Sequence, residues 1–257
     1  EGKNLLEMDK KQLRRIRGEH ISMIFQDPMT SLNPVMTVGD QIAEAIRNHD
    51  KLSRVDAAKK AAEILELVGI PSARGSEYPH QFSGGMKQRV VIAIALACNP
   101  KILIADEPTT ALDVTIQAQI LEMIRDLRER FRTSMLLITH DLGVIAQNCD
   151  YVSVIYAGEI VETGTVHDIF RHKLHPYTEG LFSSIPNINE DVERLVPIEG
   201  LMPDPTNLPA GCAFCDRCRF ATERCRTEHP RLVSMGGEEG SHQVRCHRYN
   251  ETREEGE

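Results

Sequence analysis

The stretch Phe82-Ser83-Gly84-Gly85-Met86-Lys87-Gln88-Arg89 places a Ser-Gly-Gly turn in front of an almost wholly apolar run from Val90 to Cys98. The run predicts a buried helix, and the turn leaves backbone N–H groups at its start that can bind an anion. Soon afterwards, Ile102-Leu103-Ile104-Ala105-Asp106-Glu107-Pro108 predicts a buried strand that ends in two carboxylates. A buried helix followed at once by a buried strand is typical of a parallel α/β sheet. These two stretches therefore decide the predicted fold class.

Further strands and helices extend this pattern in both directions. Ile21 to Phe25 and Met135 to Ile138 are short apolar runs that predict buried strands of the same sheet. A long helix is predicted between the later strands, because apolar residues recur there at helical spacing: Ile116, Ile120, Ile124, Leu127 and Phe131. Residues Val152 to Val161 predict a hairpin at the edge of this sheet, with its turn at Ala157-Gly158.

The remaining segments differ in character. A helical insert is predicted over about residues 37 to 80, and its second helix runs from Ser53, a good N-cap, to Gly69, a good C-terminal cap. Past about residue 165, repeated prolines predict loops. The acidic end, Glu251 to Glu257, predicts disorder.

The composition excludes several functional classes. The chain of 257 residues has a formal net charge of -8, no tryptophan and only 5% aromatic residues, which disfavours a nucleic-acid platform. No apolar run approaches the roughly 20 residues of a membrane span, and no signal peptide is visible. We therefore expect a cytosolic protein that does not bind nucleic acid. The chain begins with Glu1 in the middle of a pattern, so we also expect an N-terminally truncated fragment.

Polar side chains stand at the predicted carboxyl ends of the strands, where ligands bind to open parallel sheets. Asp106 is a candidate Mg²⁺ ligand, and Glu107 is a candidate base that deprotonates an attacking water. His140 follows the third strand and can contact a transferring phosphate. Gln26 follows the first strand and can reach Mg²⁺ or the water. Phosphoryl transfer to water needs such positioning and charge neutralisation.

These motifs, in this order, resemble the nucleotide-binding subunits of ABC transporters over about residues 20 to 165. The resemblance implies a P-loop NTPase-like ABC ATPase core that uses ATP and Mg²⁺, with a helical subdomain at about 37–85. It assigns Gln26 to the Q-loop, Ser83, Gly84 and Gly85 to the signature loop, Asp106 and Glu107 to Walker B, Ala111-Leu112-Asp113 to the D-loop, and His140 to the switch. Phe82 and Met86 stand where the family usually has Leu and Gln.

Two stretches resemble the dipeptide/oligopeptide importer branch of this family. One is Ile21 to Pro34, and the other is His175-Pro176-Tyr177-Thr178, which by itself predicts a turn before a helix. Nickel importers share much of the same pattern, so a nickel importer ATPase is an alternative.

The phosphate loop of the family, Gly-x4-Gly-Lys-Ser/Thr, is absent from these 257 residues, since no Lys is followed by Ser or Thr. That loop supplies several charge-assisted hydrogen bonds of roughly 1.5–3 kcal/mol each. We therefore expect this chain to be inactive alone and to bind ATP weakly. Truncation is the favoured cause, and a natural, catalytically silent or regulatory partner subunit is the alternative.

Five of the seven cysteines lie between positions 212 and 246, which favours metal binding over disulfides in a cytosolic chain. The run of Cys212, Cys215 and Cys218 is similar to ferredoxin spacing, whereas zinc favours well-separated Cys-x2-Cys pairs. In the importer branch, the matching positions resemble an iron–sulfur site: Cys212, Cys218, Cys225 and Cys246. We expect a structural [4Fe-4S] cluster, with Zn²⁺ as the alternative. The cluster would hold together a C-terminal tail that cannot build its own hydrophobic core.

The resemblance also implies an organisation and a set of partners. Residues 1–165 form the nucleotide-binding domain, and 166–257 form a Cys-rich C-terminal extension. The chain pairs head to tail with a second ABC ATPase subunit and binds two membrane permease subunits at the cytoplasmic face of the membrane. An extracytoplasmic peptide-binding protein is an indirect partner. A non-transport ABC protein acting on ribosomes or DNA is disfavoured, because neither tandem ATPase halves nor a long coiled coil is present.

Overall fold

A computed structural model of the chain describes residues 2, 4–110, 112–184, 197–236 and 241–250. The chain forms two compact units, Glu1–Val144 and Ile145–Glu257. No helix in the described ranges is both long enough and apolar enough to cross a membrane.

The first unit contains the predicted parallel sheet, and in the described residues it has three strands whose order in the sheet follows their order in the chain. The strands are β1 (Ile21–Ile24), β2 (Ile102–Asp106) and β3 (Ser134–Ile138). Ile24 lies opposite Ala105, and Asp106 lies opposite Ile138, so the carboxyl ends of all three strands meet at one edge. This register brings the segments that follow the strands together.

Seven helices accompany the sheet in the described part of this unit and at its end. They are α1 (Lys10–Glu19), α2 (Pro28–Ser31), α3 (Val38–His49), α4 (Arg54–Leu67), α5 (Gly84–Leu96), α6 (Val114–Phe131) and α7 (Leu142–Asn148). The predicted insert is helical, and α4 has the expected ends. Ser53 accepts a hydrogen bond from Asp56 N, and Gly69 adopts a positive φ of 75°. The unit boundary lies within α7.

The core of the first unit lies between the sheet and the helices. The largest fully buried side chains include Ile42 and Leu65 of the insert, Ile92 of α5, Leu103 of β2 and Ile120 of α6. The prediction that β3 is a buried strand was wrong in part. Its residues alternate in exposure, with Leu136 56% and Ile138 45% exposed, because Met135 and Leu137 pack against the core while Leu136 and Ile138 lie on the opposite face of the strand.

The second unit contains a four-stranded antiparallel sheet in the order β4-β5-β7-β6. The strands are β4 (Tyr151–Tyr156), β5 (Glu159–Thr165), β6 (Leu232–Gly236) and β7 (His242–Arg245). The predicted hairpin is present, and Ala157 and Gly158 both have positive φ, as a two-residue hairpin turn requires. Its predicted place at the edge of the parallel sheet was wrong, because β5 pairs with β7 instead.

The C-terminal extension is more ordered than the prolines predict. It contributes β6 and β7, and its described residues form four helices: α8 (Val166–Arg171), α9 (Pro176–Ser183), α10 (Glu223–Thr227) and α11 (His247–Asn250). The expectation of a tail without a core was also wrong. Phe214 is 3% exposed and packs edge-on against Tyr156 of the hairpin, with ring centroids 5.2 Å apart. The predicted disorder at 251–257 lies outside the described residues.

The compact units divide earlier than the predicted domain boundary at 165. The physical reason is the strand pairing of β5 with β7, which joins the hairpin to the C-terminal strands. The boundary at 165 follows the organisation of the family and stays a prediction.

Candidate functional site

Three of the predicted catalytic side chains converge at the carboxyl edge of the parallel sheet. The Gln26 amide donates to Glu107 Oε2 at 2.7 Å, and His140 Nδ1 lies 3.2 Å from Glu107 Oε1. Thr110 also donates its hydroxyl to Glu107 Oε2, at 2.9 Å. The carboxylate of Glu107 is therefore the centre of a polar cluster drawn from three segments of the chain.

The backbone fixes Glu107 in an unusual conformation. Glu107 follows β2 with a φ of 44°, which is uncommon for a residue other than glycine and concentrates at functional sites. Its N–H donates to Ile138 O at 2.9 Å, so the pairing between β2 and β3 continues through it. This bond holds the carboxylate between the segments that follow β1 and β3.

The hydrogen bonds keep Glu107 ionised. The Thr110 hydroxyl, followed by His140 and then Gln26, lowers the pKa of the Glu107 carboxyl below its ordinary value. The side chain of Glu107 is 24% exposed and that of His140 is 78% exposed, so the cluster is open to water. An ionised carboxylate at an open edge can orient a water molecule and accept its proton.

Sequence reasoning missed Thr110. Thr110 N also donates to Glu107 O at 3.1 Å. This turn brings the Thr110 hydroxyl into hydrogen-bonding distance of the Glu107 carboxylate. The signal was a hydroxyl residue three positions after the candidate base.

Asp106, the candidate Mg²⁺ ligand, is the last residue of β2. It is partly buried and directly precedes Glu107.

The Ser-Gly-Gly turn opens α5 as predicted. Ser83 is the N-cap, and its hydroxyl accepts from Met86 N. A Cβ on Gly85 would come within 2.7 Å of Ile116 Cγ2, whereas a Cβ on Gly84 would meet only Leu112 Cδ2, at 3.8 Å. Gly85 is thus required by close packing against α6, and Gly84 leaves backbone accessible at the start of the helix.

Gln88 connects this helix to the segment after Glu107. The side chain is 1% exposed and donates to Pro108 O at 2.7 Å. Sequence reasoning did not single out this residue, because its role depends on the packing of α5 beside β2.

Phe82 and Met86, the two departures from the family signature, both lie beside Arg74. The guanidinium carbon of Arg74 lies 4.5 Å from the ring centroid of Phe82, and its Nη1 lies 3.3 Å from Met86 Sδ. Glu77 pairs with the same guanidinium at 2.6 Å. Phe82 and Met86 therefore both contact the Arg74 guanidinium, which links the two positions structurally.

Asp113 is the N-cap of α6 and accepts a hydrogen bond from Ile116 N at 3.0 Å. Leu112 N donates to Thr109 O in the preceding turn. The third member of the predicted D-loop, Ala111, lies outside the described residues.

All five clustered cysteines line one cavity of the second unit. Its walls are His175, Pro176, Cys212, Phe214, Cys215, Cys218, Phe220, Cys225, Cys246, His247 and Arg248. Cys212 N donates to Cys225 O at 2.8 Å, which joins two cysteine segments. The Cys215 thiol donates to the Asp216 carboxylate at 3.6 Å, and Cys225 Sγ lies 3.4 Å from the Thr222 hydroxyl.

The chemistry of this cavity fits a thiolate-bound group. Burial raises the pKa of Cys212 to about 11 and also raises the pKa of Cys218 and of Cys246, so a bound metal would have to displace protons. His247 Nδ1 is buried without a hydrogen-bond partner among the described residues, as expected beside a group that fills the cavity.

Among the described residues, no three of the Cys and His side chains of this cavity place their ligand atoms within 4.8 Å of one another.

A buried carboxylate that sequence reasoning missed supports this cavity. Glu162 of β5 is 0% exposed and accepts hydrogen bonds from Leu174 N, His175 N and His242 Nε2, each at 2.9 Å. These donors satisfy a carboxylate that would be costly to bury alone. Glu162 thereby fixes the start of the His-Pro-Tyr-Thr segment.

The His175-Pro176-Tyr177-Thr178 segment forms the predicted turn before a helix. His175 caps α9, and its Nδ1 accepts from Tyr177 N at 3.1 Å. Burial lowers the pKa of His175 to about 4, so the ring stays neutral and can accept this bond. The motif forms part of the cavity wall.

Comparisons with known proteins show which families the chain matches. The ABC transporter family matches residues 1–110, and the "Oligopeptide/dipeptide transporter, C-terminal region" matches residues 161–225. The chain is 52% identical over 253 residues to the "Oligopeptide transport ATP-binding protein AppD" of Bacillus subtilis, covering 98% of this chain and 76% of that protein. It is 58% identical over 238 residues to "Oligopeptide transport ATP-binding protein OppD" of the same organism, covering 91% of this chain and 66% of that protein.

Solved structures show the same fold for the ATPase part. The dimeric bacterial ABC transporter cassette MJ0796 is 29% identical with a TM-score of 0.56, covering 63% of this chain and 69% of that one. The predicted α/β ABC ATPase fold is thereby confirmed. The chain belongs to the ABC transporter ATP-binding proteins, in the branch that carries the oligopeptide/dipeptide transporter C-terminal region.

Proposed function

We propose that this chain is the ATP-hydrolysing subunit of an ABC transporter that imports di- or oligopeptides. The observation that carries the proposal is the match, along nearly the whole chain, to proteins named as oligopeptide transport ATP-binding proteins. The cluster around Glu107 supplies the chemistry that such a subunit needs.

Each side chain of the cluster has a defined role in hydrolysis. Glu107 accepts the proton of the attacking water, and its lowered pKa keeps it ready for this step at neutral pH. Gln26 and His140 hold the Glu107 carboxylate, and His140 would contact the γ-phosphate of bound ATP. Asp106 would hold Mg²⁺, which neutralises charge on the phosphates when bound.

The signature loop acts on a nucleotide held by a partner. Ser83, Gly84 and Gly85 would close over ATP bound to a second ABC ATPase subunit, with the two subunits paired head to tail and Asp113 near their contact. The dimeric state of the neighbouring cassette MJ0796 supports this arrangement. Residues 1–257 contain no Gly-Lys-Ser/Thr loop, so a protein made of these residues alone would bind ATP weakly and be inactive by itself. A titration that gives a micromolar dissociation constant for ATP would overturn this point.

The assembly would lie at the cytoplasmic face of the membrane. The chain would bind two permease subunits there, and an extracytoplasmic peptide-binding protein would deliver the substrate. The exposed apolar side chains of Phe25 and Met29, beside Gln26, support a contact near the Q-loop.

We also propose that the cysteine cavity holds a structural [4Fe-4S] cluster on Cys212, Cys218, Cys225 and Cys246. The convergence of all five cysteines on one cavity and the partnerless His247 Nδ1 support it. When bound, the cluster would cross-link the three cysteine segments, and Zn²⁺ is the alternative occupant.

Transport in reconstituted vesicles tests the peptide-import proposal. The chain, a Glu107→Gln variant and a Glu122→Gln control would each be assembled with the permeases and the partner ATPase. ATP-driven uptake of a labelled tripeptide by the wild type and the control, but not by Glu107→Gln, is the expected result. Uptake of Ni²⁺ in place of peptide would favour the nickel alternative. Full uptake by Glu107→Gln would favour a silent or regulatory subunit.

A further inference from the structure

A group of side chains with metal-ligating atoms lies on and just after α8, away from the lining of the cysteine cavity. Nitrogen or oxygen atoms of His167, Asp168 and His172 all lie within 4.8 Å of one another. Two imidazoles and one carboxylate are the donor set that divalent transition metals prefer. The two histidines are exposed, so an ion can enter from solvent and keep open coordination positions.

The three residues lie near the start of α8 and just past its end. Asp168 and His172, the C-cap residue, are four positions apart, about one helical turn. His172 N donates to Asp168 O at 2.7 Å and closes the last turn. The rings of His167 and His172 have centroids 5.9 Å apart.

Supporting contacts hold the carboxylate and the helix in place. Thr165 donates its hydroxyl to Asp168 Oδ2 at 2.8 Å, which orients the carboxylate and leaves Oδ1 for an ion. Ile169 of the same helix is 0% exposed, and Phe170 packs edge-on against Phe182 with centroids 4.8 Å apart. The packing of Ile169 and Phe170 therefore holds α8, which carries His167 and Asp168, in place.

We propose that His167, Asp168 and His172 form a surface site for a labile divalent transition-metal ion of the Ni²⁺, Zn²⁺ or Cu²⁺ class. The site is separate from the proposed iron–sulfur centre, and it does not depend on the transport function. Its ligands are nitrogen and oxygen atoms, whereas those of the cysteine cavity are sulfur atoms.

Anaerobic titration of the full chain with Ni²⁺, followed by calorimetry and ultraviolet absorption, tests the proposal. We expect one equivalent to bind without the charge-transfer absorption that nickel–thiolate bonds produce. His167→Ala/His172→Ala should weaken this binding at least tenfold, and Asp168→Asn, which keeps the hydrogen-bonding shape, should weaken it less. His229→Ala is the matched control, because His229 is a partly exposed histidine of the same unit that pairs with Glu159.

Two results would overturn the proposal. One is a double variant that binds Ni²⁺ as tightly as the wild type. The other is nickel binding that always carries the thiolate absorption and disappears when the cysteines are blocked. Circular dichroism of each variant confirms that the loss of binding does not reflect unfolding.

Discussion

The Gln26 amide donates a 2.7 Å hydrogen bond to the Glu107 carboxylate across 81 residues of sequence. The bond joins the segment that follows β1 to the segment that follows β2. Movement of the Q-loop would therefore change the orientation of the proposed base directly. Because Gln26 lies beside the exposed Phe25 and Met29, the proposed permease contact there would act on Glu107 through the Gln26 side chain.

Replacing Glu107 by Gln should stop hydrolysis and spare nucleotide binding. The amide keeps the shape of the side chain but cannot accept a proton, and a positioned base contributes about 10²–10⁴-fold to rate. Phosphate release and nucleotide affinity would be measured in the assembled transporter. Glu122→Gln on the exposed face of α6 is the control, and a Glu107→Gln variant that retains most of its turnover would contradict the assignment.

Replacing Thr110 by Val should move the acidic limb of the pH–rate profile to higher pH. The Thr110 hydroxyl is the largest cause that lowers the pKa of Glu107. A carboxyl with a depressed pKa stays ionised, and can act as a base, until the pH falls through that pKa. Removing the hydroxyl donor raises the pKa of Glu107, so it becomes protonated at a higher pH. The measurement is kcat against pH, with Thr109→Val as the matched control. An unshifted limb would count against Glu107 as the titrating base.

Replacing Gly85 by Ala should destabilise the fold, whereas Gly84→Ala should not. The new Cβ at Gly85 would meet the branched side chain of Ile116 at 2.7 Å, and overpacking of this kind costs about 1–3 kcal/mol. The same methyl at Gly84 meets only Leu112, at 3.8 Å. Thermal unfolding gives the difference, and equal melting temperatures would contradict the packing role. Gly84→Ala should instead lower ATPase activity in the dimer, because it crowds backbone that is proposed to face the partner's ATP.

Replacing Glu162 by Gln should lower the free energy of unfolding by about 1–3 kcal/mol, since one buried N–H donor would face an amide N–H₂. Glu159→Gln is the control, because this partly exposed residue pairs with His229 at the surface and such pairs contribute about 0–1 kcal/mol. Urea unfolding followed by circular dichroism measures both. Equal effects would mean that the three donors are not important for stability.

Replacing Cys215 by Ser should leave the proposed cluster intact, whereas Cys218→Ser should lose it. The Cys215 thiol already contacts Asp216, and it is the cysteine that the importer branch does not share. Iron and sulfide analysis after anaerobic purification gives the answer for both variants. Stoichiometric zinc without iron in the wild type would replace the cluster assignment by a zinc site.

The sequence alone determined which elements form and what chemistry the strand ends can carry. Apolar runs and helical spacing fixed β1, β2, α5 and α6, because these signals are local. The strand-end positions of Gln26, Glu107 and His140 followed from the rule that ligands bind at the carboxyl edge of parallel sheets. The candidate catalytic residues were thus predictable without coordinates.

Only the tertiary structure decided the pairings and contacts that join distant segments. The hairpin belongs to the C-terminal sheet because β5 pairs with β7, which no local pattern predicts. The requirement for Gly85, the roles of Thr110 and Glu162, and the grouping of the cysteines around one cavity likewise depend on which side chains meet. Local sequence encodes the periodicity of each element, whereas contacts between elements depend on how their surfaces pack.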